Sequence, residues 1–117
     1  MVKLVGKLVD DQTRCIHWNS QLDVMAIKFK CCQTFYPCFE CHQEVANHDP
    51  IRYDLKIEKD ATTSTILCGI CHNEMTFNEY SNGIKCTSCL TDFNPGCKLH
   101  YGLYFENVPS NLKLCSL

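Results

Sequence analysis

The chain has 117 residues, of which 11 are cysteine, and a formal net charge of −2. Eleven thiols cannot form a complete set of disulfides, and a chain without a basic surplus has no electrostatic footprint for nucleic acid. No apolar run is long enough to predict a membrane span, and the N-terminal residues lack the composition of a cleaved targeting signal.

The first half of the chain contains two clear element signals. Residues 1–9 are apolar and indicate a weak strand. Residues 24–31 alternate large apolar side chains with small or charged ones, which predicts a strand. Residues 38–47 follow a proline and predict a short helix that Pro50 terminates.

The second half is predicted to contain a connector, a short β-type run and a hairpin. Residues 51–63 are charged, contain no metal-ligand type and indicate a connector, and residues 65–67 form a short β-type run. The Asn82-Gly83 pair is a strong turn signal and predicts a hairpin. Eight apolar side chains are predicted to pack as the core, namely Ile27, Phe29, Phe39, Leu67, Ile70, Phe77, Ile84 and Phe93.

The strongest chemical signal is a pair of CxxC motifs, Cys68-x2-Cys71 and Cys86-x2-Cys89, which are separated by the segment 72–85. Each motif turns the chain so that two thiolates face one ion, and two such turns make a tetrahedral site of four thiolates. The alternative, four cysteines buried as small apolar side chains, gives no reason for this spacing. The motifs therefore predict a structural zinc site.

Eight further residues of ligand type lie upstream, enough for two more tetrahedral sites. With the four CxxC thiols they give twelve ligands for three Zn2+ ions. These upstream ligands are Cys15, His17, Cys31, Cys32, Cys38, Cys41, His42 and His48.

This upstream pattern resembles the CHY-type zinc finger. The matching features are Cys-x-His-Trp at residues 15–18, the adjacent pair Cys31-Cys32, Tyr-x-Cys-x2-Cys-His at residues 36–42, and a histidine six residues later. The resemblance implies a small zinc-stabilised α+β fold with three structural zinc sites, short strands, a short helix and a zinc-ribbon-like second half. The finger is expected over residues 8–93, followed by an aromatic-rich C-terminal tail over residues 94–117.

The resemblance also implies how the ligands are shared. Cys15 and His17 would join Cys38 and Cys41 on one ion, and the adjacent cysteine pair would join the two later histidines on another. Two adjacent cysteines on one ion need an unusual backbone, so a swapped assignment stays open. Four further residues of ligand type could complete a fourth site, although packed or free side chains are the favoured interpretation: His72, Cys97, His100 and Cys115.

No catalytic residues are predicted. Catalytic zinc keeps one coordination position open, whereas twelve protein ligands on three ions leave none. No Gly-rich phosphate loop or paired-carboxylate motif suggests other chemistry. The expected protein is therefore not an enzyme.

CHY fingers occur in ubiquitin ligases and in short fungal proteins that contain little else. In the ligases a RING follows the finger, but no RING ligand series follows Cys89. The alternative function is therefore a structural interaction module, or a substrate adaptor of a ubiquitin ligase, without zinc transfer. Its expected location is the cytosol. Five stretches of the chain resemble the fungal members, the last of them beyond the generic finger: residues 9–18, 26–32, 38–44, 74–77 and 93–101. That resemblance implies the mitochondrial intermembrane space, with the import receptor of the disulfide relay and the small Tim proteins as partners. The protein would keep this receptor free of zinc, so that the receptor can be oxidised and small Tim assembly proceeds.

Four aromatic side chains have two interpretations. They could form a partner surface, or they could cover the small core. These residues are Trp18, Tyr101, Tyr104 and Phe105.

Overall fold

A computed structural model describes residues 4–93 and 104–107. Six strands and three short helices are present in this part of the chain. In chain order they are β1 (Met25–Phe29), β2 (Thr34–Tyr36), α1 (Phe39–Val45), β3 (Tyr53–Asp54), α2 (Glu58–Ala61), β4 (Ser64–Cys68), β5 (Glu74–Thr76), α3 (Phe77–Gly83) and β6 (Phe105–Glu106). The predicted small α+β fold is confirmed.

The centre of the fold is an antiparallel sheet with the strand order β2-β1-β4-β5. In β1, Ile27 lies opposite Tyr36 of β2 on one side and opposite Ile66 of β4 on the other. As an inner strand, β1 has both edges hydrogen-bonded to neighbouring strands, and side chains pack on both of its faces. Met25, Ile27 and Phe29 join the main core, and Ala26 joins a smaller cluster on the opposite face. The predicted strands at residues 24–31 and 65–67 are confirmed.

The predicted helix at residues 38–47 is confirmed as α1. The thiol of Cys38 caps its N-terminus by accepting a hydrogen bond from the Cys41 N–H at 3.4 Å. The helix ends at Val45, well before Pro50.

The hairpin predicted at Asn82-Gly83 is wrong, because this pair lies at the C-terminal end of α3. A capping box starts the helix: the Glu79 N–H donates to the Thr76 hydroxyl at 3.2 Å, and the Thr76 N–H donates to the Glu79 carboxylate at 2.9 Å. Ile84 then ends it in the left-handed conformation, with φ of 53°. The hairpin of this region is instead the β4–β5 pair.

Two other segments differ from prediction. The connector at residues 51–63 contains β3 and α2, and its Asp60 is buried against Lys30, with Nζ 2.7 Å from Oδ2. The weak strand predicted at residues 1–9 is not continuous where described, since residues 4–9 make only isolated bridges, Leu4 with Phe35 and Leu8 with Cys15.

The main core includes two aromatic residues from the C-terminal part of the chain. Tyr104 and Phe105 are buried, so they cover the core and do not form an exposed surface. Strand β6 pairs in parallel with β3, and the centres of the Phe105 and Phe77 rings are 4.5 Å apart. Trp18 packs against the core, whereas Tyr101 lies outside the described residues. The prediction that Ile70 belongs to the core is wrong, because its side chain is exposed at the tip of the first CxxC turn.

Candidate metal centres

The first cluster, called site 1, contains Cys15, His17, Cys38 and Cys41. All three thiols are buried. The His17 Nδ1 atom lies 3.4, 3.6 and 3.9 Å from the sulfur atoms of Cys38, Cys41 and Cys15. Cys38 and Cys41 come from the N-terminal turn of α1, and Cys15 and His17 come from the loop before β1. Site 1 therefore fastens this loop to the helix.

Site 1 has a second layer of contacts that the sequence did not predict. The His17 Nε2 atom, on the far side of the ring, lies 2.9 Å from a carboxylate oxygen of Glu44. The Lys7 N–H donates to the Cys41 sulfur at 3.3 Å. Such partners orient a metal-binding histidine and stabilise a thiolate. The sequence carries only a weak indication of the Glu44 contact, namely that Glu44 lies three residues after Cys41, one turn along the same helix.

The second cluster, called site 2, contains Cys31, Cys32, His42 and His48. The two cysteines lie in the turn between β1 and β2. The sulfur of Cys31 is 3.9 Å from that of Cys32 and 3.3 Å from Nε2 of His42, and the two histidine Nε2 atoms are 3.3 Å apart. Site 2 is more open than site 1, because only His42 is buried, whereas His48 is exposed.

Helix α1 serves both sites. Cys41 and His42 are consecutive, and consecutive helical residues point about 100° apart around the axis. One side chain therefore reaches site 1 and the other reaches site 2. The His42 ring also stacks on Phe29, with ring centres 4.2 Å apart and planes at 10°. This contact holds the helix against β1.

The third cluster, called site 3, contains Cys68, Cys71, Cys86 and Cys89. Cys68 ends β4, and the second CxxC turn follows α3. The sulfur atoms of Cys68 and Cys89 are 3.8 Å apart, and those of Cys71 and Cys86 are 3.5 Å apart. Backbone N–H groups in both turns donate to sulfur, from Ile70 to Cys68 at 3.4 Å and from Ser88 to Cys86 at 3.3 Å.

The spacing of the donor atoms fits zinc. Zinc bonds of about 2.3 Å to sulfur and 2.0–2.1 Å to nitrogen give tetrahedral edges of about 3.8 Å between two sulfurs, 3.6 Å between sulfur and nitrogen, and 3.4 Å between two nitrogens. The sulfur–sulfur distances of 3.5–3.9 Å and the nitrogen–nitrogen distance of 3.3 Å lie close to these edges. A disulfide would need about 2.05 Å. The nine cysteines of the clusters are free thiols.

The electrostatics of the clusters also favour a cation. The pKa of Cys38 is raised far above the usual thiol value by its contacts with Cys15 and Cys41 and by burial. Contact with Cys15 raises the pKa of Cys41 to about 11, and burial raises the pKa of Cys68 to about 12. The shifts are not uniform, because hydrogen bonds from Cys38 and Cys41 lower the pKa of Cys15. One thiolate is thus stabilised by its neighbours, whereas further thiolates beside it are destabilised unless a divalent ion lies among them. Three Zn2+ ions are compatible with the three clusters.

The histidines of sites 1 and 2 differ in their electrostatics. Burial opposes the charged form of His17, but its hydrogen bonds to Glu44 and Cys15 outweigh burial and raise its pKa. For His42, burial and the neighbouring His48 lower the pKa, so the ring is held neutral, as a metal ligand must be.

All twelve residues predicted as ligands lie in these three clusters, grouped as the resemblance implied. The swapped assignment does not match the geometry, since Cys15 and His17 lie with Cys38 and Cys41. His72 is exposed and belongs to none of the clusters. The remaining candidates for a fourth site lie outside the described residues: Cys97, His100 and Cys115.

The chain belongs to the CHY zinc finger family, which it matches over residues 15–98. It is 53% identical over 109 residues to "Helper of Tim protein 13" of Saccharomyces cerevisiae, covering 91% of this chain and 92% of that protein. It is 47% identical over 113 residues to the protein of the same name from Kluyveromyces lactis, covering 95% and 96%. An uncharacterised protein of Schizosaccharomyces pombe is 40% identical over 103 residues, with 88% of each chain covered. No solved structure matches significantly.

Within residues 4–93 and 104–107, no helix has the length and apolar character needed to cross a membrane.

Proposed function

We propose that this protein is a zinc-binding factor of the mitochondrial intermembrane space that assists the assembly of small Tim proteins. The observation that carries the proposal is the similarity to two proteins named for help to a Tim protein, which extends over more than nine-tenths of each chain. The twelve clustered side chains would be the zinc ligands. When bound, zinc would cross-link the loops and strands that supply these ligands, so that metal binding contributes to the free energy of folding.

The proposed mechanism is removal of zinc from the import receptor of the disulfide relay. A receptor whose cysteines hold zinc cannot form its disulfide, because the metal occupies the thiolates. A protein that accepts this zinc would leave the receptor's thiols free for oxidation, and oxidised receptor would then support small Tim assembly. This mechanism needs one site that exchanges zinc faster than the others.

Site 2 is the best candidate for that exchanging site. Two of its four ligands are histidines, and one of them, His48, is exposed. Its Cys31 and Cys32 are only partly buried. The thiols of site 1, in contrast, are all buried. Site 3 also has two exposed ligands, Cys71 and Cys89, but all four of its ligands are thiols and none is a histidine. A ligand at the surface can leave the metal and let an incoming thiolate take its place without opening the core.

A zinc-transfer assay tests the proposal. Protein freed of one zinc by a limiting amount of chelator is mixed with a zinc-loaded relay oxidoreductase, and zinc on each protein is measured after separation. We expect transfer to the chain, reduced at least severalfold in His48→Ala. The matched control is His72→Asn, which changes an exposed histidine outside the three clusters and keeps a residue that tolerates its φ of 65°.

The alternative is a structural interaction module, or a substrate adaptor of a ubiquitin ligase, whose zinc never moves. That alternative predicts no transfer from the loaded oxidoreductase in any of the three proteins. Equal transfer to the His48→Ala variant would keep the proposed function but reject site 2 as the acceptor.

A further inference from the structure

Site 2 differs from the other sites in where its thiols lie along the chain. Site 1 contains the Cys38-x2-Cys41 pair, and site 3 contains two CxxC pairs. Site 2 has only two thiols, and they belong to the consecutive residues Cys31 and Cys32. Its other two donors are imidazoles, which cannot form a disulfide.

Consecutive cysteines are poorly placed for a disulfide. Adjacent Cα atoms lie about 3.8 Å apart across a trans peptide. A relaxed disulfide needs roughly 4.4–6.8 Å between Cα atoms, and departures from this geometry strain the bond and make it easier to reduce. The sulfur atoms of Cys31 and Cys32 are 3.9 Å apart, and closing that gap would bend the peptide between them.

The thiols of sites 1 and 3 have no such obstacle. In site 1 the sulfur atoms of Cys15 and Cys38 are 3.6 Å apart, from residues 23 positions apart in sequence. In site 3, Cys71 and Cys86 come from two different turns, with sulfur atoms 3.5 Å apart. A small relative shift of the two side chains would bring either pair to bonding distance. The CxxC motifs of the two sites offer further pairs of cysteines. An emptied site 1 or 3 can therefore close a disulfide.

We propose that site 2 is built to release and regain zinc under oxidising conditions, because its emptied thiols do not close a stable disulfide. This inference rests on the proposed function, in which zinc passes through site 2. In sites 1 and 3, loss of zinc lets two thiolates reduce a disulfide oxidant. The sulfur–sulfur bond of the oxidant breaks, and a sulfur–sulfur bond forms between two cysteines of the site. The two cysteines are oxidised, and the oxidant takes up the two electrons and leaves as two thiols.

At site 2 the same reaction stops at its first step. A thiolate of Cys31 or Cys32 attacks the oxidant and forms a mixed disulfide, and one thiol leaves. Completing the exchange would require the neighbouring sulfur to close the strained ring. The released thiol instead reverses the first step, and both cysteines return to the thiolate form that binds zinc.

The first arm of the test uses the whole protein with no partner present. One zinc equivalent is removed with limiting chelator in a glutathione buffer that contains both thiol and disulfide. Free thiols are then alkylated, and disulfides are mapped by peptide mass spectrometry. We expect Cys31 and Cys32 to be recovered without a bond between them, and added zinc to be taken up in full in this buffer, without an added dithiol. Stronger chelation is expected to give disulfides within sites 1 and 3 and a loss of zinc uptake until a dithiol is added.

The second arm adds a thiol that can react. His48→Cys keeps a zinc-binding set of three thiols and one imidazole, but its new thiol is far from Cys32 in sequence. After removal of one zinc, this variant is expected to form an internal disulfide in site 2 and to need reductant before it binds zinc again. The matched control is Asn78→Cys, which adds an exposed thiol on α3 outside the three clusters and should behave as the parent protein.

A Cys31–Cys32 disulfide in the parent protein, or zinc uptake that requires reductant after loss of one ion, would overturn the inference. So would a His48→Cys variant that regains zinc as freely as the parent. If this variant fails to bind three ions, the parent protein still decides the question. Failure of the zinc-transfer assay with the oxidoreductase would reject the proposed function but not this inference. The disulfide mapping and the zinc-uptake measurements use this chain without a partner.

Discussion

Glu44 offers a sharp test of the site 1 geometry. Its carboxylate lies 2.9 Å from Nε2 of His17, while Nδ1 of the same ring faces three sulfur atoms. The carboxylate therefore fixes the ring orientation and makes Nδ1 a stronger donor. Loss of such a partner typically weakens metal binding about 10–100-fold. The Glu44 side chain is 41% exposed, which places the expected loss for Glu44→Ala near the lower end, about 10-fold or 1.4 kcal/mol.

Two further variants separate charge from position. Glu44→Gln keeps an oxygen that can accept from the ring N–H but removes the charge, so we expect a smaller loss than for Glu44→Ala. Glu40→Gln removes the same charge from the same helix, at an exposed residue that is not among the contacts of His17. We expect its zinc affinity to match that of the parent protein. The pair of Lys7 with Glu44, at 3.9 Å and half-exposed, should contribute little.

The assay is competition with a chromophoric chelator, followed by alkylation of the thiols that zinc no longer protects. In Glu44→Ala, the site 1 cysteines should become alkylated at about one-tenth of the chelator concentration that the parent protein requires. The reasoning would be refuted if Glu44→Ala and Glu40→Gln released zinc at the same chelator concentration. It would also be refuted if the site 2 cysteines were the ones newly exposed by Glu44→Ala.

The same structure supports four other predictions. Complete chelation should unfold the protein, because each structural zinc contributes roughly 10–16 kcal/mol against a typical total stability of 5–15 kcal/mol, and an unchanged circular dichroism spectrum would contradict this. Gly69→Ala should lower the melting temperature strongly, since its added Cβ would lie 2.3 Å from a backbone oxygen of the site 1 loop, whereas Gly83→Ala, with its nearest neighbour at 3.5 Å, should melt near the parent temperature. Phe105→Ala should cost about 3–5 kcal/mol in denaturant unfolding because its ring is buried, and a cost below about 1 kcal/mol would show that β6 is not part of the core. Asp60→Asn should cost about 1–3 kcal/mol by removing charged hydrogen bonds. The Lys30 contact lowers the Asp60 pKa, so this contribution is complete above the unfolded value of 3.8 and is lost only as pH falls through the lower folded value, which predicts the same cost at pH 7 and at pH 5.5.

The sequence by itself determined the features that depend on local spacing. A CxxC turn directs two sulfurs to one side whatever lies around it, so the ligand types and their number could be predicted from the chain. The alternation in β1 and the proline before α1 are also local signals, and both elements lie where they were expected. The grouping of the upstream ligands needed more than spacing, because only family resemblance indicated which cysteines join which histidines.

Tertiary structure decided the features that depend on contacts between distant residues. The turn predicted at Asn82-Gly83 is replaced by the end of a helix, because the Thr76–Glu79 capping box starts α3 at Phe77, five residues before Asn82. Phe105 is buried because β6 pairs with β3, about half the chain away. No local sequence pattern predicts that two strands of two residues each will pair in parallel. The contact of Glu44 with His17 joins side chains 27 positions apart. Local chemistry thus specified which atoms could bind metal, but only the packing of distant segments set how those atoms are oriented, supported and exposed to solvent.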